Sequence, residues 1–144
     1  PALPKSIPTV DKPFEGKRCL ICEDNSVNQL IAVKILEELG FMTEVAADGM
    51  AGSSRFIASA PGHFDVIYMD IRMPVMDGYE ATVAIRQSGH PQARTIPIIA
   101  MTANVLAEDV EKSRIAGMNG HLGKPVTILG LVAETMRVLE DAAL

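Results

Sequence analysis

Polar residues suited to metal and phosphate chemistry follow four short apolar runs of the 144-residue chain. Glu23 and Asp24 follow "RCLIC", and Asp70 ends "VIYMD". Thr102 follows "IIAM", and Lys124 follows "GHLG". Three carboxylates brought together repel one another unless one pKa rises or a cation joins them. Oxygen ligands of this kind suit a hard ion, so the sequence predicts a Mg²⁺ site.

The expected metal ligands differ in how directly they bind. We predict that Asp24 and Asp70 bind the ion directly and that Glu23 holds one of its waters. A backbone carbonyl just past Asp70, that of Arg72, is the expected third protein ligand. This set leaves coordination positions for water and for a phosphate oxygen, as Mg²⁺ sites do.

The remaining polar residues suit phosphoryl transfer. A carboxylate can act as a covalent nucleophile and form an acyl phosphate, and Asp70 is our candidate for that role. Lys124 is not needed to bind Mg²⁺, but its ammonium can pair with a phosphate arriving at Asp70. Thr102 adds a hydroxyl donor to the same anion. We therefore predict that Asp70, Thr102 and Lys124 form a catalytic group.

The elements that must position these residues alternate along the chain. Short apolar runs are separated by helix-length segments, and the first segment repeats apolar residues at Val27, Ile31, Ile35 and Leu39 with a helical period. Strands separated by helices predict parallel pairing with right-handed crossovers. The fold class is therefore α/β, a doubly wound five-stranded parallel sheet of (βα)5 flavodoxin-like type, strand order 2-1-3-4-5. The predicted strands are 18–22, 42–46, 64–69, 96–101 and 120–123, and the predicted helices are 26–39, 49–60, 78–88, 104–116 and 127–142.

The bulk properties limit the classes of function. We predict a linker or leader over residues 1–16, which are rich in Pro and Lys, and one domain over 17–142. The net charge of −5 and the lack of a basic stripe predict no nucleic-acid binding. No apolar run approaches the roughly 20 residues that cross a bilayer, so we expect no direct membrane contact. Two cysteines that do not pair favour a reducing, cytoplasmic location. Cys19 and Cys22 fall on opposite faces of a strand, which favours two buried hydrophobes over a redox pair.

The four strand-end motifs, "CEDN", "MDIRMPVMDG", "MTAN" and "GKP", carry a resemblance to a known family. In this order and spacing the chain resembles, from Lys17 to Asp141, the receiver domain of two-component response regulators. "CEDNSVNQLIAVKILEELG" and "IAMTANVLAEDVEKSRIAGMNGHLGKPV" are most similar to receivers of hybrid sensor histidine kinases. The resemblance therefore implies a piece of a histidine kinase whose parent chain can be membrane-anchored.

The resemblance also implies roles for the site residues. Asp70 matches the phosphoacceptor, and Glu23 and Asp24 match the acidic pair that holds Mg²⁺, for which Mn²⁺ can substitute. Lys124 matches the lysine that pairs with the phosphoryl group, and its bond to Pro125 resembles one that is cis in this family. The donor would be a histidine kinase or a histidine phosphotransfer domain. The domain would catalyse its own phosphorylation and dephosphorylation.

The implied switch involves two further positions. Thr102 matches the hydroxyl that reorients after phosphorylation. His121 matches the switch aromatic position, which is more often Tyr or Phe in this family. The resemblance places the responding surface, and a possible homodimer contact, on the fourth helix, fifth strand and fifth helix.

Several alternatives remain open at the sequence level. A flavin- or nucleotide-binding domain shares this fold, but acidic Glu23 and Asp24 stand where its first loop would cradle phosphate. An aspartyl-phosphate hydrolase resembling the haloacid dehalogenases needs an acid two residues after the nucleophile, where this chain has Arg72. A stand-alone or output-linked response regulator, and a docking receiver that takes no phosphate, complete the set.

Overall fold

The computed structural model describes residues 12–103 and 106–143, and its central feature is a five-stranded parallel sheet of order β2-β1-β3-β4-β5. This order confirms the predicted fold class. The strands are β1 (Arg18–Cys22), β2 (Met42–Ala46), β3 (Val66–Asp70), β4 (Ile98–Thr102) and β5 (Gly120–Gly123). The helices are α1 (Ser26–Glu38), α2 (Gly49–Ala58), α3 (Gly78–Arg86), α4 (Ala107–Ala116) and α5 (Ile128–Ala143).

Helices cover both faces of the sheet and create two cores. Every residue of β3 and β4 is buried, as expected for strands packed on both sides. Alternate strand residues therefore enter different cores. Cys22 packs with Phe56 and Met69 in one core, and Cys19 packs with Tyr68 in the other. Both cysteines are free and buried, which confirms their prediction as core residues on opposite faces.

Local capping interactions begin and end the helices next to the strand tips. The Asn25 side chain accepts a hydrogen bond from the N–H of Asn28 at the start of α1. Asp77 and Glu80 form a reciprocal capping box at the start of α3. Gly117 ends α4 in the left-handed region, with φ of 112°. The paths of the chain between strands and helices are therefore set locally.

The packed body begins before the predicted domain boundary. Phe14 is 2% exposed and stacks on Phe41 with ring centroids 4.9 Å apart. Its N–H donates to the carbonyl of Leu39. An aromatic side chain of the predicted leader therefore completes the core beside α1. The rest of that leader, residues 1–11, lies outside the described residues.

The first and fourth helices also differ from the sequence prediction. The apolar stripe of α1 is buried only towards its C-terminal end, since Val27, Leu30 and Ile31 are 60%, 70% and 52% exposed. The fourth helix was predicted to begin at residue 104 but begins at Ala107, while residues 104 and 105 lie outside the described residues. No helix in the described part of the chain combines the length and apolar character needed to cross a bilayer.

Candidate functional site

Three carboxylates meet at the C-terminal edge of the sheet. Asp70 ends β3, and Glu23 and Asp24 directly follow the adjacent strand β1. One carboxylate oxygen from each of these three residues lies within 4.8 Å of the others. Glu23 and Asp70 are buried, whereas Asp24 is exposed. The structure thus brings together the three acids that the sequence predicted as metal ligands.

Lys124 spans the two buried acids. Its Nζ lies 2.9 Å from Oε1 of Glu23 and 3.2 Å from Oδ1 of Asp70. The lysine is held in place because its backbone N–H donates to the carbonyl of Thr102 at 2.8 Å. The Lys124–Pro125 peptide bond is cis, as the family resemblance implied. Thr102, at the end of β4, is also buried beside this edge.

The shared lysine affects the two buried acids differently. Burial raises the pKa of Asp70 to about 6, assisted by the negative charge of Glu23 and opposed by Lys124. Burial alone would also raise the pKa of Glu23, but hydrogen bonds from Lys124 and from the N–H of Asn25 outweigh it and lower that pKa. The pKa of Lys124 is raised, because hydrogen bonding to Glu23 and the charge of Asp70 outweigh burial. Asp70 is therefore the acid whose charge is least stabilised.

The donor set fits a hard divalent cation. Lys124 is the one cation within 4.0 Å of the Glu23 and Asp70 carboxylates in the described residues. Three ionised carboxylates and one ammonium leave an excess of negative charge, and all the ligand atoms are oxygens. Mg²⁺ prefers such ligands, and an exposed acid such as Asp24 leaves access for its retained waters. Arg72, whose carbonyl is the predicted further ligand, lies with Asp24 along the same cavity.

That cavity opens from the acidic cluster towards the start of α4. It has a volume of about 460 Å³ and is lined by Asp24, Arg72, Thr102 and residues of α3 and α4. On its far side, Nζ of Lys112 lies 4.8 Å from the centre of the Tyr79 ring. The cavity gives an incoming group a route to the edge where Asp70 lies.

Two glycines hold the loop after Asp70 in place, and sequence reasoning did not identify either as part of the site. A Cβ atom at Gly78 would collide with the carbonyl of Asp70, and one at Gly49 would collide with the carbonyl of Met76. The Gly78 N–H donates to the carbonyl of Ile71 at 2.8 Å. The "DG" pairs at positions 48–49 and 77–78 are the sequence signal for these close approaches.

Thr102 and His121, the predicted switch pair, lie on the same face of neighbouring strands. Ala100 pairs with His121, and Thr102 pairs with Gly123. The Thr102 position is therefore two residues further along the strands than the His121 position. Nε2 of His121 is buried and has no hydrogen-bond partner among the described residues. Burial lowers the pKa of this imidazole, although the charge of Glu134 opposes the shift.

Known proteins resemble the chain in both sequence and structure. The receiver domain of the sensor histidine kinase PA1611 from Pseudomonas aeruginosa is 38% identical, with a TM-score of 0.77 over 87% of this chain and 98% of that one. That structure holds a magnesium ion in its active-site cleft. The chemotaxis protein CheY4 of Vibrio cholerae is 29% identical, with a TM-score of 0.77 over 85% of this chain and 98% of that one.

Longer relatives are sensor kinases. Probable histidine kinase 2 of rice, Oryza sativa subsp. indica, is 39% identical over 81% of this chain and 12% of its own length. The sensor histidine kinase RcsC of Escherichia coli is 33% identical over 95% of this chain and 15% of its own length. The chain therefore spans only a small part of these kinases. The family described as the response regulator receiver domain matches residues 19–135, and the chain belongs to that family of two-component signalling domains.

Proposed function

We propose that the chain accepts a phosphoryl group on Asp70 from a phosphohistidine and changes conformation in response. The observation that supports this most strongly is the placement of Asp70. It is 5% exposed at a strand end, has a raised pKa, and lies between two other acids and Lys124. A carboxylate whose charge is destabilised beside a lysine and two other acids is suited to gain a group that brings its own charge and ligands.

The reaction joins one oxygen of Asp70 to phosphorus. As that bond forms, the bond from phosphorus to the donor imidazole nitrogen breaks, and the nitrogen keeps the electron pair. Because the Asp70 pKa of about 6 lies below neutral pH, most molecules carry the nucleophilic carboxylate. Mg²⁺ held by Asp24, Asp70, the Arg72 carbonyl and a water on Glu23 would offset charge on the transferring group. Mn²⁺ has the same ligand preference and is expected to substitute.

Lys124 and Thr102 would then bind oxygens of the new phosphoryl group. Nζ of Lys124 already lies 3.2 Å from Asp70, so a small movement from Glu23 brings it onto a phosphoryl oxygen. Thr102 offers its hydroxyl from the adjacent strand. His121 lies on the neighbouring strand, two residues before the partner of Thr102, and is the residue through which this rearrangement would reach β5. The responding surface is then α4, β5 and α5, which is also where a homodimer would form.

The donor surface is proposed from α1. Val27, Leu30 and Ile31 are exposed immediately after Asp24, where they bury little within the fold. An apolar patch at the rim of an acidic site suits a protein that docks and delivers a phosphohistidine. We infer that this partner is a histidine kinase or phosphotransfer domain and that the chain is the receiver of a hybrid sensor kinase. Both partner types present the same reactive group, a phosphorylated imidazole.

The test is intact-mass measurement after incubation with acetyl phosphate and Mg²⁺. The unmodified protein should gain one phosphate, and excess chelator should prevent it. Asp70→Asn should gain none, while Asp141→Asn, which removes an exposed acid of α5, should behave like the unmodified protein. A phosphate adduct that persists in Asp70→Asn would refute Asp70 as the acceptor. An adduct that forms equally well in chelator would refute the metal requirement.

A further inference from the structure

Val75 adopts a backbone conformation that valine rarely occupies. Its φ is 70°, and it is the only residue other than glycine with positive φ among those the structure describes. The N–H of Met76 donates to the carbonyl of Pro74 at 2.7 Å, so Val75 is the central residue of a γ-turn. A β-branched side chain at positive φ is a strained outlier. Glycine would adopt this turn without the steric conflict.

The surrounding loop prevents the strain from relaxing. The ring of Pro74 fixes its own φ. On the other side, the carbonyl of Met76 accepts a hydrogen bond from Gly49, and the Met76 side chain packs against the core. The N–H of Gly78 closes the loop onto Ile71. The neighbours of Val75 therefore determine its backbone shape.

The Val75 side chain contributes little to the fold that imposes this shape. It is 77% exposed, so its isopropyl group is mostly in water. The strain thus brings no compensating burial within the protein. Unrelaxed strain at an exposed position beside a functional site is a reason to look for a role outside the fold.

We propose, on the basis of the proposed function, that Val75 is a specificity-determining contact for the protein that donates the phosphoryl group. Asp70 is 5% exposed, so a donor histidine must enter the edge of the sheet to reach it. The donor's surface must then press against the rim of the site. Val75 lies on the loop that follows Asp70 and presents an apolar group there, as Leu30 and Ile31 do on α1. The partner it fits is an apolar protein surface that carries a phosphohistidine.

Two kinds of phosphodonor should differ in their dependence on the Val75 side chain. A small donor such as acetyl phosphate can reach Asp70 without covering the rim, so it should not depend on the Val75 side chain. A protein donor covers the rim and should depend on it. A residue needed only for loop shape would affect both donors alike.

The experiment compares variants that relax the backbone with one that keeps the side chain. Val75→Gly and Val75→Asn both suit positive φ but remove the apolar group, whereas Val75→Ile retains it. Ile115→Ala is the matched control, because Ile115 is 72% exposed near the end of α4, where the chain returns towards the opposite edge of the sheet. The protein donor is chosen from a panel of phosphorylated kinase cores and phosphotransfer domains as the one that phosphorylates the unmodified protein fastest.

The expected result is a selective loss. Val75→Gly and Val75→Asn should lower kcat/KM for the protein donor about five- to thirtyfold. Their rates with acetyl phosphate should stay within about twofold, since no contact to that donor is removed. Val75→Ile and Ile115→Ala should match the unmodified protein with both donors.

Two results would overturn the proposal. One is unchanged transfer from the protein donor to Val75→Gly and Val75→Asn. The other is an equal loss with both donors, which would mean that Val75 acts through loop shape. Failure of the proposed function looks different, because the unmodified protein would then form no adduct on Asp70 with either donor.

Discussion

Charged side chains at the C-terminal and N-terminal edges of the sheet differ in how fully they are paired. At the C-terminal edge, Lys124 is shared between Glu23 and Asp70, and the pKa of Asp70 is raised. At the N-terminal edge, the half-buried Arg86 has acceptors for its Nε and both terminal nitrogens. It donates to the backbone carbonyls of Ala93, Ile96 and Gly117 and to Oδ1 of Asn119, at 2.7–3.1 Å.

This difference indicates where the protein is stabilised and where it is left reactive. Arg86 joins the end of α3 to the chain segments that precede β4 and β5. The acidic edge instead holds a destabilised carboxylate and the strained Val75, and Nε2 of His121 in β5 has no hydrogen-bond partner among the described residues. Groups of this kind lower stability in the free protein and are stabilised when a cation, a phosphoryl group or a partner arrives. Substitutions at the two edges should therefore change the free energy of unfolding in opposite directions.

The largest effect is expected at the N-terminal edge. Arg86→Ala should lower the free energy of unfolding by about 3 kcal/mol, because it leaves buried carbonyls without donors. Urea denaturation at neutral pH measures this. Arg114→Ala is the control, since Arg114 is an exposed residue that pairs with Glu111, and it should cost less than about 1 kcal/mol. Equal losses in the two variants would contradict a structural role for the Arg86 network.

The next effect is stabilisation by Asp70→Asn, and it should depend on pH. Folding raises the pKa of Asp70 from 3.8 to about 6, so the folded state binds the proton more tightly than the unfolded state. The free-energy cost of ionising Asp70 in the folded state is therefore absent below about pH 4, grows as pH rises, and is complete above about pH 6. Without divalent cations, Asp70→Asn should gain about 1–3 kcal/mol at pH 7 and almost nothing at pH 3.5.

Urea denaturation in chelator across this pH range tests that prediction. Asp141→Asn serves as the control, because Asp141 is exposed and its carboxylate lies 3.1 Å from Arg137. A gain from Asp70→Asn that is the same at both pH values would show that removal of the charge is not its cause.

A smaller gain is expected at Val75. Val75→Gly should raise the free energy of unfolding by about 1 kcal/mol, because relief of the positive-φ strain exceeds the entropy that glycine adds to the unfolded chain. Val27→Gly makes the same change at an exposed position inside α1 and should instead cost about 1 kcal/mol. Thermal or urea unfolding of the pair gives the comparison. A loss in both variants would mean that the γ-turn stores no strain.

The smallest effect is expected at His121. His121→Phe removes a buried nitrogen that has no partner in the described residues and should raise stability by about 0.5 kcal/mol. His63→Phe is the contrasting change, because Nε2 of His63 lies 2.7 Å from Oε2 of Glu44 and that interaction would be lost. Differential scanning calorimetry resolves the two. Destabilisation of similar size in both would argue that His121 has a partner in the folded protein.

The sequence was sufficient for the topology and for the site because both follow from local rules. Strands alternating with helices predict a parallel sheet, and a parallel sheet brings its strand ends to one edge. Asp70 and Lys124 are 54 positions apart in the chain (124 − 70), yet Oδ1 of Asp70 lies 3.2 Å from Nζ of Lys124 because the strands that position both residues end at this edge. No contact had to be known in advance.

Features that depend on packing between distant segments were not predictable in this way. Phe14 appeared to belong to a Pro-rich leader, and only its contact with Phe41 places it in the core. The periodicity of α1 predicted an apolar face but not that Leu30 would be 70% exposed. The positive φ of Val75 results from anchoring of its neighbours, which the letters "MPVMDG" do not reveal.

The most direct test of a phosphoacceptor site at the C-terminal edge of the sheet is a crystal structure with Mg²⁺ and beryllofluoride, a mimic of the phosphoryl group. We expect beryllium bonded to an oxygen of Asp70 and Mg²⁺ on Asp24, Asp70 and the Arg72 carbonyl. Nζ of Lys124 should have moved from Glu23 onto a fluoride. Beryllofluoride bound to any other side chain, or Mg²⁺ bound away from these carboxylates, would contradict a phosphoacceptor site at this edge.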